Sequence, residues 1–234
     1  MANKKLSRKE LLKGPDEFLT LSSRAATFFG DHMRELKIVG IAMAVILVGY
    51  LSVYGYMRHT NKKGQEAYNL AYVALTDAST PDAKSEAAAI PENVDLKEAE
   101  GLFEQVIDEY GMSKAARLAL PQVGHIKFTQ KEYDEAIRYY NRFTEEISGH
   151  KEYEDLTLIA LASCHEAKGE LKRAISILTP LVEDPANPFR ETAMLSLERL
   201  YRLDNQPDKA HDILKKFVQE YNTSPFLPMA KARL

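Results

Sequence analysis

Four alanines, Ala99, Ala136, Ala174 and Ala210, recur at spacings of 37, 38 and 36 residues. Each is followed by a bulky apolar residue four places on and by another three places after that. The sets are Ala99/Phe103/Val106, Ala136/Tyr140/Phe143, Ala174/Leu178/Leu181 and Ala210/Leu214/Phe217. Offsets of four and seven put the three side chains of a set on one helical face. A small residue opening that face admits a neighbouring helix closely, and the two larger ones fill the space beyond. A helical period of roughly 34–40 residues describes stacked hairpins, each burying its apolar face against its neighbours. Arrays of this kind commonly hold other proteins.

The 234 residues are 45% hydrophobic, enough for a continuous core. The formal net charge of −3 divides unevenly. Residues 1–57 carry eight basic and five acidic side chains, residues 58–234 twenty-three and twenty-nine. An acidic domain argues against nucleic acid as a partner, because phosphate binding needs a basic face. The one cysteine, Cys164, cannot form an internal disulfide and reads as a small buried apolar residue within a helix. The six histidines show no HExxH spacing and no CxxC accompanies them, so neither a metal nor a cofactor is expected. The paired acids Glu145-Glu146 and Glu152/Glu154 point apart on a helix and read as a solvated face rather than an acid–base pair.

Residues 38–57 (IVGIAMAVILVGYLSVYGYM) are twenty in a row without a charge, flanked by Arg34, Lys37 and Arg58. At ~1.5 Å per residue a helix of this length crosses a hydrocarbon core of about 30 Å. Tyr50, Tyr54 and Tyr56 gather toward its end, as an interfacial aromatic belt does. The segment starts late, is long and ends in Tyr-Met, which fits an uncleaved signal-anchor better than a cleaved signal peptide. Lys4, Lys5, Arg8, Lys9 and Lys13 add positive charge to the N-terminal side and place that terminus inside. Gly40 and Ala44 form a small-xxx-small pair. Within the basic tail, 1–37, residues 15–36 carry an apolar stripe (Phe18, Leu21, Ala25, Phe28 or Phe29, Met33, Leu36) suited to an interfacial helix.

Residues 58–63 read as a short juxtamembrane linker and 64–234 as the repeat domain. Ala67, Leu70, Ala71, Ala74 and Leu75 start its first helix, and residues 77–94, with Pro81 and Pro91, form a long connection before a second helix over 95–110. Hairpins are expected at 114–129 with 133–147, at 152–168 with 171–182, and at 189–203 with 207–221. Gly169 sits where a helix C-terminus calls for positive φ, and Pro207 opens a helix. Residues 224–234 (SPFLPMAKARL) begin a short terminal helix. Pro121 falls inside the helix expected at 114–129, either bending it or marking a later start.

In the second hairpin Gly124, Tyr133, Ala136, Tyr140 and Phe143 match the tetratricopeptide pattern: a small residue in the first helix, then an aromatic or Leu, Ala, aromatic or Leu, and an apolar residue. Ala162, Leu171, Ala174, Leu178 and Leu181 repeat it, as do Leu197, Tyr201, Ala210, Leu214 and Phe217. The chain thus resembles tetratricopeptide-repeat proteins over about residues 64–234. The resemblance implies an all-α fold, one transmembrane helix followed by an α-solenoid of about four tetratricopeptide-like hairpins. With its basic tail and single span, the layout is similar to the YfgM-like family of bacterial inner-membrane proteins. That resemblance implies a periplasmic repeat domain associated with the Sec translocon and periplasmic chaperones, and no catalytic residues.

In stacked hairpins the first helices line the concave face. Counted along them, His125, Phe128, Ile159, Glu166, Leu195, Arg199 and Arg202 face inward. Their mixed apolar and charged character suits a peptide or partner helix better than a small metabolite. The Lys and Asn clamp by which some tetratricopeptide proteins grip chaperone C-termini has no counterpart here. The expected role is a membrane-anchored, non-enzymatic scaffold for translocon subunits, periplasmic chaperones or secreted chains. The alternative is an assembly factor for another envelope complex, such as outer-membrane or division machinery.

Overall fold

The structure, a computed structural model, describes residues 26–30, 32–79, 96–147 and 149–234. The interfacial helix expected over 15–36 lies in part outside the described residues, as does most of the 77–94 connection. Every regular element among the described residues is helical. In chain order these are α1 (Met33–Ser79), α2 (Lys97–Glu109), α3 (Lys114–Thr129), α4 (Tyr133–Glu146), α5 (Lys151–Ala167), α6 (Leu171–Glu183), α7 (Arg190–Leu203), α8 (Pro207–Glu220) and α9 (Leu227–Arg233).

The chain divides into two compact units, Met1–Tyr56 and Met57–Leu234. In the first, every side chain from Ile38 to Tyr56 is exposed, Ile46 reaching 71%. The hydroxyl of Ser52 donates to the Val48 carbonyl at 2.8 Å, so this polar group is satisfied within its own helix. Residues 58–63, read from the sequence as a juxtamembrane linker, are helical and continue α1. No proline interrupts the helix there, and Gly64, the residue most able to end it, is held by packing against Ser113.

In the second unit each helix from α2 onward packs against the next along the chain. The four alanines are at most 2% exposed, and all eight larger partners in their sets are buried. Ala99, Phe103 and Val106 join Ala115, Leu120 and Ile126 of α3, with Ala67, Tyr68 and Ala71 of α1 packed on the same cluster. Ala136 and Tyr140 meet Leu161 and Cys164 between the second and third hairpins. Leu178, Leu181, Met194, Leu197, Leu214 and Phe217 fill the last part, closed by Ala230 of α9.

The three tight turns inside the hairpins have one geometry. Lys131, Gly169 and Asn205 have φ of 65°, 77° and 55°. The next residue in each case donates its N–H back five positions: Glu132 to Lys127, Glu170 to His165, Gln206 to Tyr201, at 2.8–2.9 Å. The left-handed residue itself donates three positions back. This paired closure satisfies carbonyls that a helix end otherwise leaves open. Helix α3 does not start late: Ser113 caps it, its hydroxyl accepting from the Ala116 N–H at 3.0 Å, and the helix continues through Pro121. Burial of Ala119 and Leu120 before the proline and of Val123 and Ile126 after it holds it together. Pro180 lies within α6 in the same manner.

Candidate functional site: the face of the first helices

The sequence-predicted residues do not form one cluster. His125 is exposed on α3. Phe128 is half-buried, its ring 5.5 Å from that of Tyr133 and packed against the cluster of Ala136, Tyr140, Leu161 and Cys164. Ile159 is half-buried against the core of the last hairpins. Both are thus partly committed to holding hairpins together.

Two of the residues meet directly. Arg199 of α7 donates to Glu166 of α5 at 2.9 Å, joining the first helices of successive hairpins. Glu166 is largely covered, whereas Arg199 remains more than half exposed, so its guanidinium keeps free donors. Leu195 and Arg199 then line a shallow cleft of about 300 Å³ with Thr192, Ser196, Phe226, Met229 and Arg233. Leu195, Met229 and the exposed Phe226 make the lining partly apolar, and Arg199 and Arg233 add two guanidinium groups.

Arg202 is directed elsewhere. Its Nε donates to Glu198 and its Nη2 to the Arg233 carbonyl at 2.9 Å. Glu198 is fully buried, and Arg233 reaches its other oxygen at 3.3 Å. A carboxylate out of water needs such partners, because desolvation is costly unless opposite charge and donors replace the solvent. Sequence reasoning missed Glu198, although its spacing of four from Arg202 is a helical ion-pair signal. Phe226, Met229 and Arg233 were missed because only the packing of α9 brings them beside α7.

The remaining buried polar groups hold helices in register. Arg190 donates to the Val182 carbonyl at 2.7 Å and to Glu220, which holds the Glu220 carboxyl below its ordinary range. Asn187 donates to Asp155 at 2.9 Å, which also accepts from Lys151. Glu100 accepts from Lys127 at 2.6 Å and from Gln130. Burial raises the Glu100 carboxyl, but these donors outweigh it and hold the group low. Cys164 is buried, and burial pushes its thiol up to about 11, a poor nucleophile. Among the described residues no group of three or more metal-ligating side chains is present.

No protein-family profile matches the chain, and no curated protein matches it in sequence. Solved structures similar in fold include a Podosopora anserina kinesin light chain protein with nearly identical TPR-like repeats and a point variant of it. The variant has a TM-score of 0.57 at 16% identity, covering 75% of this chain and 84% of its own. The other has 0.56 at 16%, covering 76% and 86%. At that identity the likeness concerns architecture. The second unit has a tetratricopeptide-like helical-repeat fold, with a long apolar helix ahead of it.

Proposed function

We propose that the chain is a single-pass membrane protein whose helical-repeat unit binds protein partners along its first-helix face, as a scaffold and not as an enzyme. The observation that carries the reading is the union of two parts. Residues 38–57 are uncharged and exposed, as lipid-facing side chains are, and a hairpin array with a shallow cleft at Leu195 and Arg199 follows them. Leu195, Arg199, Phe226 and Met229 supply apolar contact and free guanidinium donors, the combination that seats a peptide or an amphipathic helix. The basic tail supports an N-terminus in the cytoplasm and the repeat domain in the periplasm of a bacterial inner membrane. The family resemblance supports Sec-translocon subunits, periplasmic chaperones or secreted chains as partners.

A photoreactive residue at Thr192 or Leu195, activated in native membranes, tests the partner. Crosslinks to translocon subunits or translocating chains are expected, and recovery of outer-membrane or division components instead would favour the alternative assembly role. Protease access in right-side-out and inverted vesicles tests the topology: a repeat domain digested only in inverted vesicles removes the periplasmic reading.

A further inference from the structure

A second surface lies apart from the Leu195–Arg199 cleft, within the repeat unit. Asn61 of α1 accepts at Oδ1 from the Lys114 backbone N–H at 2.9 Å. One turn on, Gly64 is buried against the α2–α3 loop. A Cβ there would stand 2.7 Å from Ser113 Oγ and 3.1 Å from Tyr110 Cβ. These contacts pin residues 110–114 beside residues 61–64. The loop carries Met112, 64% exposed. Arg58, Lys62 and Lys114 are exposed in the same segments, and Arg117 is half-buried. Lys63 is paired with Glu66 at 3.2 Å. The nearby acids Asp108 and Glu109 end α2, and Glu109 accepts from Gln105 at 2.8 Å. With Lys63 and Glu66 paired, the four cations Arg58, Lys62, Lys114 and Arg117 stand against the two carboxylates Asp108 and Glu109 in the segments flanking the exposed methionine, on a domain in which acids outnumber bases.

The position along α1 is informative. Asn61 follows Met57, the last residue of the apolar segment, by four residues, or ~6 Å of helix. A bilayer's headgroup layer is about 5–8 Å deep on each side. We propose that the α2–α3 loop docks on the surface of a bilayer bearing anionic headgroups, with Met112 at the contact and Arg58, Lys62, Lys114 and Arg117 around it. The proposal rests on the reading of residues 38–57 as a membrane span. A flexible thioether side chain enters the headgroup–acyl boundary, while ammonium and guanidinium groups pair with phosphodiesters. One methionine buries too little apolar area to bind alone. The covalently attached span supplies the local concentration that makes so small a contact count. Lipid docking uses the junction of the first and second hairpins, whereas the Leu195–Arg199 cleft belongs to the last.

The test uses the full chain carrying Met112→Cys, labelled with an environment-sensitive fluorophore, the buried native Cys164 providing the labelling control. It is reconstituted into phosphatidylcholine vesicles with or without phosphatidylglycerol, and a headgroup spin-labelled lipid serves as quencher. The same label at Gln219→Cys, exposed on α8, is the reference. The protein is expected to float with both vesicles. The label at 112 should be quenched several-fold more than that at 219, and only in anionic vesicles. Charge reversal by Lys62→Glu or Lys114→Glu should lower the preference about fivefold for each cation removed. Equal quenching at 112 and 219, or quenching that survives charge reversal, overturns the proposal. So does the same spectral shift produced by inorganic phosphate in detergent micelles, which would assign the site to a free anion. Floating with an aqueous label at 112 removes the docking alone, whereas failure to float removes the membrane span and the docking with it.

Discussion

At the scale of single residues, the hairpin turns carry the clearest consequences. Lys131 and Asn205 hold positive φ, a region where a Cβ meets the carbonyl and costs roughly 1–2 kcal/mol for most residues. Glycine removes that cost. Lys131→Gly should therefore stabilise the repeat unit by about 1 kcal/mol, while Gly169→Ala should destabilise it by a similar amount. Urea unfolding followed by circular dichroism reads both, and a Lys131→Gly protein no more stable than the parent would show that the turn carries no strain. Helical glycines divide in another way. A methyl group on Gly101 would meet nothing within 4 Å, so Gly101→Ala should gain about 1 kcal/mol of helix propensity. A Cβ on Gly124 would lie 3.0 Å from the buried Tyr140 ring. There overpacking, about 1–3 kcal/mol, exceeds the propensity gain, and Gly124→Ala should lower the midpoint. The need for glycine at 169 was readable from its place between two helical patterns. The same need at Lys131 and Asn205 was not, because their side chains tolerate a conformation that they do not announce.

At the scale of elements, Ala230 is the one buried residue of helix α9. Arg233 reaches the buried Glu198 from α9, and Arg202 of α7 grips the Arg233 carbonyl. Arg233→Ala leaves Glu198 with Arg202 as its remaining charge partner and should raise amide exchange over residues 227–233 at least tenfold, while exchange in α3 and α4 stays unchanged. Exchange spread evenly over all helices would contradict a local latch. Helix α3 presents the opposite case, a proline inside a helix that persists. Pro121→Ala restores an N–H to the ladder and should stabilise by up to about 3 kcal/mol, measured as a shift in urea midpoint. Apolar periodicity placed nearly every helix of the array to within a few residues, because alternate burial of each helix repeats the same pattern. It gave no sign that α1 continues through residues 58–63, since charged residues such as Lys62 and Lys63 are as compatible with helix as with linker.

At the scale of the whole molecule, helices are joined by ion pairs as well as by apolar faces, both between hairpins and within one. Glu100 with Lys127 links α2 to α3, and Arg190 with Glu220 links α7 to α8. Both carboxyls are held below their ordinary range, Glu100 by Lys127 and Gln130 against the opposing effect of burial, Glu220 by Arg190. A carboxyl with a lowered folded-state pKa contributes stability that is complete above its unfolded value, about 4.3, and is lost as pH falls through the folded value. The thermal midpoint should therefore drop on acidification below about pH 5. In Glu100→Gln that drop should be shallower, while the midpoint at neutral pH falls; an unchanged acid slope would mean that Glu100 is equally charged when unfolded. The repeat of Ala99, Ala136, Ala174 and Ala210 was enough to specify stacked hairpins, and the charge-free run 38–57 a candidate span, because burial against a neighbouring helix or against lipid selects residue type position by position. Which side chains share a surface was settled only by folding. Arg199 meets Glu166 across two helices, Arg233 meets Glu198 across thirty-five residues, and the loop bearing Met112 comes to rest beside Asn61. Periodicity records which way each helix faces, whereas these meetings depend on how neighbouring helices are rotated and offset, which the packing of their side chains determines.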